Sequence, residues 1–206
     1  EGVAPGADLS GTVGWFTAFA PIAVDVPTTD DPAAATIRLV QATKDAVART
    51  PDRGVAFGPL RWRTADSALR DVPLPAVTVN HLGTLRTAQS AAFGPVADAP
   101  SLPAVVDGNM TALAAITVTT AVVHDPDGRR IRAEFTVAPG ALGDDWHART
   151  QSLVERWTTS LQDIADSAAV RAPSPSETDV AATGLTQAEI DDLLRTHPGA
   201  RLWPLT

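Results

Sequence analysis

Between Ile116 and Val137 the chain carries a pattern that only two paired strands satisfy. Ile116, Val118 and Val122 recur at even spacing, Asp125-Pro126-Asp127-Gly128 follows, and Ile131, Ala133, Phe135 and Val137 recur at even spacing on the return. A period of two puts each set on one face of a pleated strand. The turn supplies a proline of fixed φ and a glycine, the residues a tight reversal needs. A hairpin with one apolar face has to be covered. Asp144 or Asp145 can cap a long helix in which Leu153, Trp157, Leu161, Ile164 and Ala168 fall three or four apart, and that helix is expected to lie on one face of the sheet.

The rest of the chain supplies more of both element types. Residues from Val13 to Val26 are mostly apolar, punctuated by Pro21 and Pro27, which predicts a buried strand. Asp31 followed by Pro32 signals a helix start. Ile37, Val40 and Val47 then recur at helical spacing, so a helix is predicted over 32–49, stopped by Pro51. A loop over Gly54 to Pro59 leads to a short helix from near Leu60, ended by Pro73 and Pro75. Val77, Val79 and His81 alternate with Thr78, Asn80 and Leu82, a strand closed by Gly83, and 85–109 reads as loop. Ala172-Pro173-Ser174-Pro175-Ser176 has linker composition and marks a boundary. Thr186 with Glu189 forms a capping box before Ile190, Leu193 and Leu194, in a helix ended by Pro198. The fold class is α/β, a mixed sheet covered by helices.

Composition removes several functions. A chain of 206 residues, 44% hydrophobic, can bury one sizeable core. Sixteen Lys and Arg against 24 Asp and Glu give a net charge of −8 with no basic stripe, so no nucleic-acid partner is expected. There is no cysteine, hence no thiolate nucleophile or thiolate metal site. No apolar run approaches the roughly 20 residues of a membrane span, so no membrane partner is expected and a cytoplasmic location is. The four histidines are solitary. Asp144-Asp145 and Asp191-Asp192 suit helix starts and exposed helix faces, so no metal site is expected. Gly54 to Gly58 lacks the lysine and preceding strand of a phosphate loop. Glu1 to Asp8 reads as loop and core sequence begins at once afterwards, as if the chain were cut from something longer.

Several stretches, in order, resemble the epimerization domains of nonribosomal peptide synthetases, which are relatives of condensation domains. Thr12-Val13-Gly14-Trp15-Phe16-Thr17, followed by Pro21, resembles the family's "RTVGWFT…P" stretch. Pro51-Asp52-Arg53-Gly54-Val55-Ala56-Phe57-Gly58, continuing to Leu60-Arg61-Trp62, is similar to "P-x-K-G-x-G-Y-G…LRY". Val79-Asn80-His81-Leu82-Gly83 resembles "FNYLG", and Ser176 to Ile190 resembles the "PSDF…LSQAEID" exit. Leu202-Trp203-Pro204-Leu205-Thr206 is similar to the "YPLTPLQ" opening of a following condensation domain. Gly11 stands where an arginine is usual, His81 where a tyrosine is usual, and Ala56-Phe57 where Gly-Tyr is usual.

The resemblance implies a chloramphenicol-acetyltransferase-like lobe, the second half of a two-lobe pseudo-dimer with a tunnel between the lobes. Residues 1–172 would form the lobe, 173–184 a linker, and 185–206 a capping helix and the start of a following condensation domain. The implied partners are the upstream N-terminal lobe, a peptidyl carrier protein and that following domain. The lobe would need no cofactor of its own, its substrate arriving on the phosphopantetheine of the carrier. The family's His-His-x-x-x-Asp motif has no match here, and the leading glutamate of its "EGHGRE" stretch is expected just before Glu1, so no complete catalytic set is expected in this chain. Asn80 and His81 are the tunnel-facing candidates. Gly14, Trp15, Thr17, Phe57 and Gly58 are the substrate-binding candidates. Three readings stay open: half of an epimerase, a lobe of an amide-forming condensation domain, and a non-catalytic docking lobe. For Trp15 and Phe16 plain core packing is the competing role, for His81 a satisfied core histidine, and for the last helix packing on its own lobe rather than carrier docking.

Overall fold

The hairpin forms where its pattern places it. In the computed structural model, which describes residues 8, 11–14, 17–26, 28–64, 68–86, 111–125, 128–170 and 174–202, β2 (Ile116–Asp125) pairs antiparallel with β3 (Gly128–Val137). Ile116 lies opposite Val137, Val118 opposite Phe135 and Val122 opposite Ile131. The turn residues 126 and 127 lie outside the described residues. A third strand, β1 (Val77–Arg86), runs parallel to β2, so the order is β1-β2-β3 and the sheet is mixed. Gly83 does not end β1 as expected. At φ 73° it accommodates a bulge between His81 and Thr84, an irregularity that glycine tolerates without steric cost, and pairing resumes beyond it. Leu85 and Arg86, expected to open a loop, still belong to β1, and the rest of that expected loop, over 87–110, lies outside the described residues.

The chain divides into two compact units, residues 73–157 and residues 1–72 with 158–206. In the sheet unit, Ile116 and Val118 are the buried floor of one face. The long helix α3 (Trp146–Val170) begins directly after Asp145 and brings Trp157 edge-on to Phe135, the ring centroids 5.8 Å apart. This is the expected cover, closed by an aromatic contact.

In the other unit α1 (Pro32–Ala48) starts as predicted, with the Asp31 carboxylate accepting from the amides of Ala33 and Ala34. Its inward side differs from the expected apolar stripe, because Val40 and Val47 are exposed while Asp45 is buried. α2 spans Phe57–Trp62, three residues earlier than expected and ending well before Pro73. Pro59 does not delay it, since in the first turn the missing amide hydrogen has no helical partner to lose. The guanidinium of Arg61 then gathers the carbonyls of Leu69 and Val72. The strand expected from Val13 to Val26 is absent among the described residues of that stretch. An extended segment becomes a strand only with a partner ladder, and no described residue of this unit forms one. α4 (Gln187–Thr196) carries both arms of its capping box, Thr186 N donating to Glu189 at 2.8 Å, and buries Ile190 completely.

Candidate functional site

Three of the four motif segments expected to shape the site lie partly or wholly in the helical unit, and two of them touch. Asp52, Arg53 and Gly54 are successive left-handed residues, with φ of 47°, 51° and 84°, inside the 3-10 stretch Pro51–Gly54. The reversal presses Gly54 on the earlier segment: a Cβ there would lie 2.9 Å from the Ala20 Cβ and 3.5 Å from the Phe19 carbonyl. Space and φ both demand glycine. Gly54→Ala is expected to cost about 1–3 kcal/mol and to be visible as a lowered melting temperature.

The substrate-binding candidates separate. Gly14 and Thr17 are exposed in irregular chain, and Trp15 lies outside the described residues. Phe57 is half-buried and edge-on to Trp62, with centroids 5.9 Å apart, and Gly58 lies under the same indole, where a Cβ would sit 3.6 Å from its ring. Phe57 and Gly58 thus pack α2 on itself.

Asn80 and His81 belong to β1 in the sheet unit. Their partners across the ladder are Thr119 and Thr120. Successive strand residues point to opposite faces, so the two candidates stand on opposite sides of the sheet. The imidazole Nδ1 of His81 lies 2.9 Å from the Thr120 hydroxyl. The other histidines are dispersed: His124 is half-buried within β2, His147 stacks on Trp146 in the first turn of α3, and His197 caps the end of α4. No cluster of metal-ligating side chains occurs among the described residues.

Sequence reasoning missed a polar cluster. Asp45 of α1 accepts hydrogen bonds from the hydroxyl and amide of Thr178. Gln41, one turn earlier, donates to the carbonyl and hydroxyl of Ser174 at 3.0 and 2.8 Å. Ser176, fully buried, donates its amide to Asp179 at 2.9 Å, and Asp179 pairs with Lys44 while Glu177 pairs with Arg49. Ser174–Ser176, linker-like in composition, are therefore packed on α1. Two polar residues four apart, Gln41 and Asp45, were the available signal, and an apolar template passes over them. A shallow open groove of about 530 Å³ lies beside this cluster, between Ala48 and Arg49 and the Glu177–Thr186 stretch, and none of the motif candidates of Gly14 to His81 lines it.

Burial opposes ionisation of Asp45, but the Thr178 and Ser176 hydrogen bonds and the Arg49 charge outweigh it, so its carboxyl titrates below its ordinary range. The Lys44 hydrogen bond lowers Asp179, and the Thr186 amide lowers Glu189. Just below the ordinary carboxylate pKa the unfolded chain thus binds more protons than the folded one, and stability rises with pH there. The melting temperature is expected to be flat with respect to these groups above about pH 5 and to fall below about pH 4. Asp45→Asn should flatten that acid limb.

Comparison with known proteins supplies the context for these segments. Chondramide synthase cmdD of Chondromyces crocatus is 37% identical over 100 residues, covering 47% of this chain and 2% of the relative. Surfactin synthase subunit 2 of Bacillus subtilis (strain 168) is 37% identical over 83 residues, 40% of this chain and 2% of the relative. A synthetase of Dothideomycetidae sp. (strain 11243) is 26% identical over 194 residues, 90% of this chain and 1% of the relative. These relatives are nonribosomal peptide synthetases. The chain is related to a part of such a synthetase, and it spans only one to two hundredths of the length of these curated relatives. No protein-family model matches it, and no solved structure does. No helix among the described residues is long and apolar enough to cross a membrane.

Proposed function

We propose that the chain is the C-terminal lobe of an epimerization domain of a nonribosomal peptide synthetase, with a chloramphenicol-acetyltransferase-like fold. In this reading it helps to invert the α-carbon of an aminoacyl or peptidyl thioester presented by a carrier protein. The observation that carries the reading is the contact at Gly54, where two motif segments more than 30 residues apart in sequence meet with no room for a side chain. Ordered motifs that converge in space point to one inherited framework, and the relatedness to peptide synthetases points the same way.

Inversion removes the α-proton on one face of the carbon and returns a proton on the other, while the thioester oxygen carries charge in between. A base, an acid and a donor to that oxygen are required. This lobe offers donors on β1, and the acid-base histidine and glutamate would come from upstream. The substrate's phosphopantetheine belongs to the carrier, and the lobe holds no cofactor of its own.

The test joins the chain to the upstream part of its domain and supplies a carrier loaded with the L-aminoacyl thioester. Release of the acyl group followed by chiral chromatography should show a mixture of L and D forms. Retention of pure L, with an amide product when a second loaded carrier is added, would establish condensation instead.

A further inference from the structure

Residues 174–196 are tied to one another as firmly as to α1. Ser176 donates its amide to Asp179, the Gln187 amide donates to Glu177 and its carboxamide to the Pro175 carbonyl, and the Thr186 amide donates to Glu189. The 3-10 stretch Glu177–Thr183 and α4 are thus one hydrogen-bonded body.

What joins that body to α1 is polar. The hydrogen bonds and ion pairs described between them come from Gln41, Lys44, Asp45 and Arg49, which positions 41, 44, 45 and 49 place on one face of the helix and its C-terminal cap. Leu39, Val40 and Val47 of the same helix are exposed and add little buried surface. The pairs Lys44–Asp179 and Arg49–Glu177 are open to solvent, where ion pairs contribute little. The buried link is Asp45, which accepts from Thr178 and from the fully buried Ser176.

Closing such a contact exchanges hydrogen bonds to water for hydrogen bonds within the protein, so its net gain is modest. Segments held in this way open locally, at a lower cost than unfolding the whole unit. We infer that residues 174–196 are a detachable strap, which leaves α1 as one body while α1 stays helical, with the Asp45–Thr178 bond as its fastening. In the proposed reading the chain runs through this strap to a following domain, and opening frees that connection from α1. That consequence rests on the epimerase reading; the opening does not.

The chain contains no cysteine. Ser176→Cys therefore places a single thiol at the fastening, and its rate of reaction with a disulfide reagent reads how often the strap opens. Labelling is expected to be slow and nearly independent of urea at low concentration, because opening a small surface has little denaturant dependence. Adding Thr178→Val removes the hydroxyl that donates to Asp45 and should speed labelling about ten-fold, with the far-ultraviolet helix signal unchanged, whereas Thr178→Ser should keep it near the parent rate. Labelling that climbs with urea from the outset, at the slope of global unfolding, would overturn the inference, as would labelling at the rate of a free thiol. Hydrogen exchange at the Thr178 amide, which donates to Asp45, gives the same comparison with Ser176 intact. If the strap opens but the joined domain yields no D product, the strap stands and the epimerase reading fails.

Discussion

Ile190→Ala is expected to lower the stability of the chain by about 2–5 kcal/mol, among the larger losses a single substitution here should cause. Ile190 has no exposed surface, and the half-buried Leu193 and Leu194 follow it on the same helix. α4 has only ten residues, a length that is marginal in isolation, so its capping box cannot hold it without that anchor. Ile190→Val should cost only about 0.5–1.5 kcal/mol, since it removes one methyl group and leaves a smaller cavity. Thermal melts of the two variants give the comparison. An alanine variant that melts like the parent would mean that α4 is not seated on its own unit, and would revive the idea that it serves as a docking helix.

Trp157→Ala should cost about 3 kcal/mol. It removes the indole that closes over Phe135, and with it both apolar burial and the edge-to-face geometry of the pair. Because Phe135 lies opposite the buried Val118, the loss uncovers the ring that neighbours this buried residue. Trp157→Phe retains an aromatic partner and should lose about 1 kcal/mol. Near-ultraviolet circular dichroism and chemical unfolding report the two losses separately, and equal stability of the alanine variant would remove α3 from its place on the sheet.

What the sequence made legible is whatever a short-range rule governs. The hairpin needed only alternation and a turn; α1 needed Asp31 before Pro32; α4 needed Thr186 and Glu189. Each of those elements stands at its expected place. What the sequence hid depends on partners distant along the chain. The apolar stretch after Val13 carries strand-like composition, but composition cannot supply a ladder. Asp45 is a polar residue on a helix until Thr178, far along the chain, gives it two donors. Gly83 reads as a stop, and only the resumed pairing of Thr84 with Val122 shows it to be a bulge.

The candidate site divides in the same way. Motif order located the segments, yet three of the residues singled out have local explanations: Phe57 and Gly58 pack on Trp62, and His81 is tied to Thr120. Asn80 and His81 look like a pair in a one-dimensional reading because they are adjacent. The pleat places them apart, and the register then reveals a neighbour that adjacency could not, Thr119 of another strand.

The measurement that bears most directly on the central claim is α-proton exchange in deuterated buffer. A carrier protein bearing an aminoacyl or peptidyl thioester is incubated with this chain alone and with the chain joined to the upstream lobe of its domain, and deuterium at the α-carbon is read by mass spectrometry. If the proposed acid-base pair comes from the other lobe, exchange is expected in the joined form and none with the chain alone. Absence of exchange in the joined form would contradict the account.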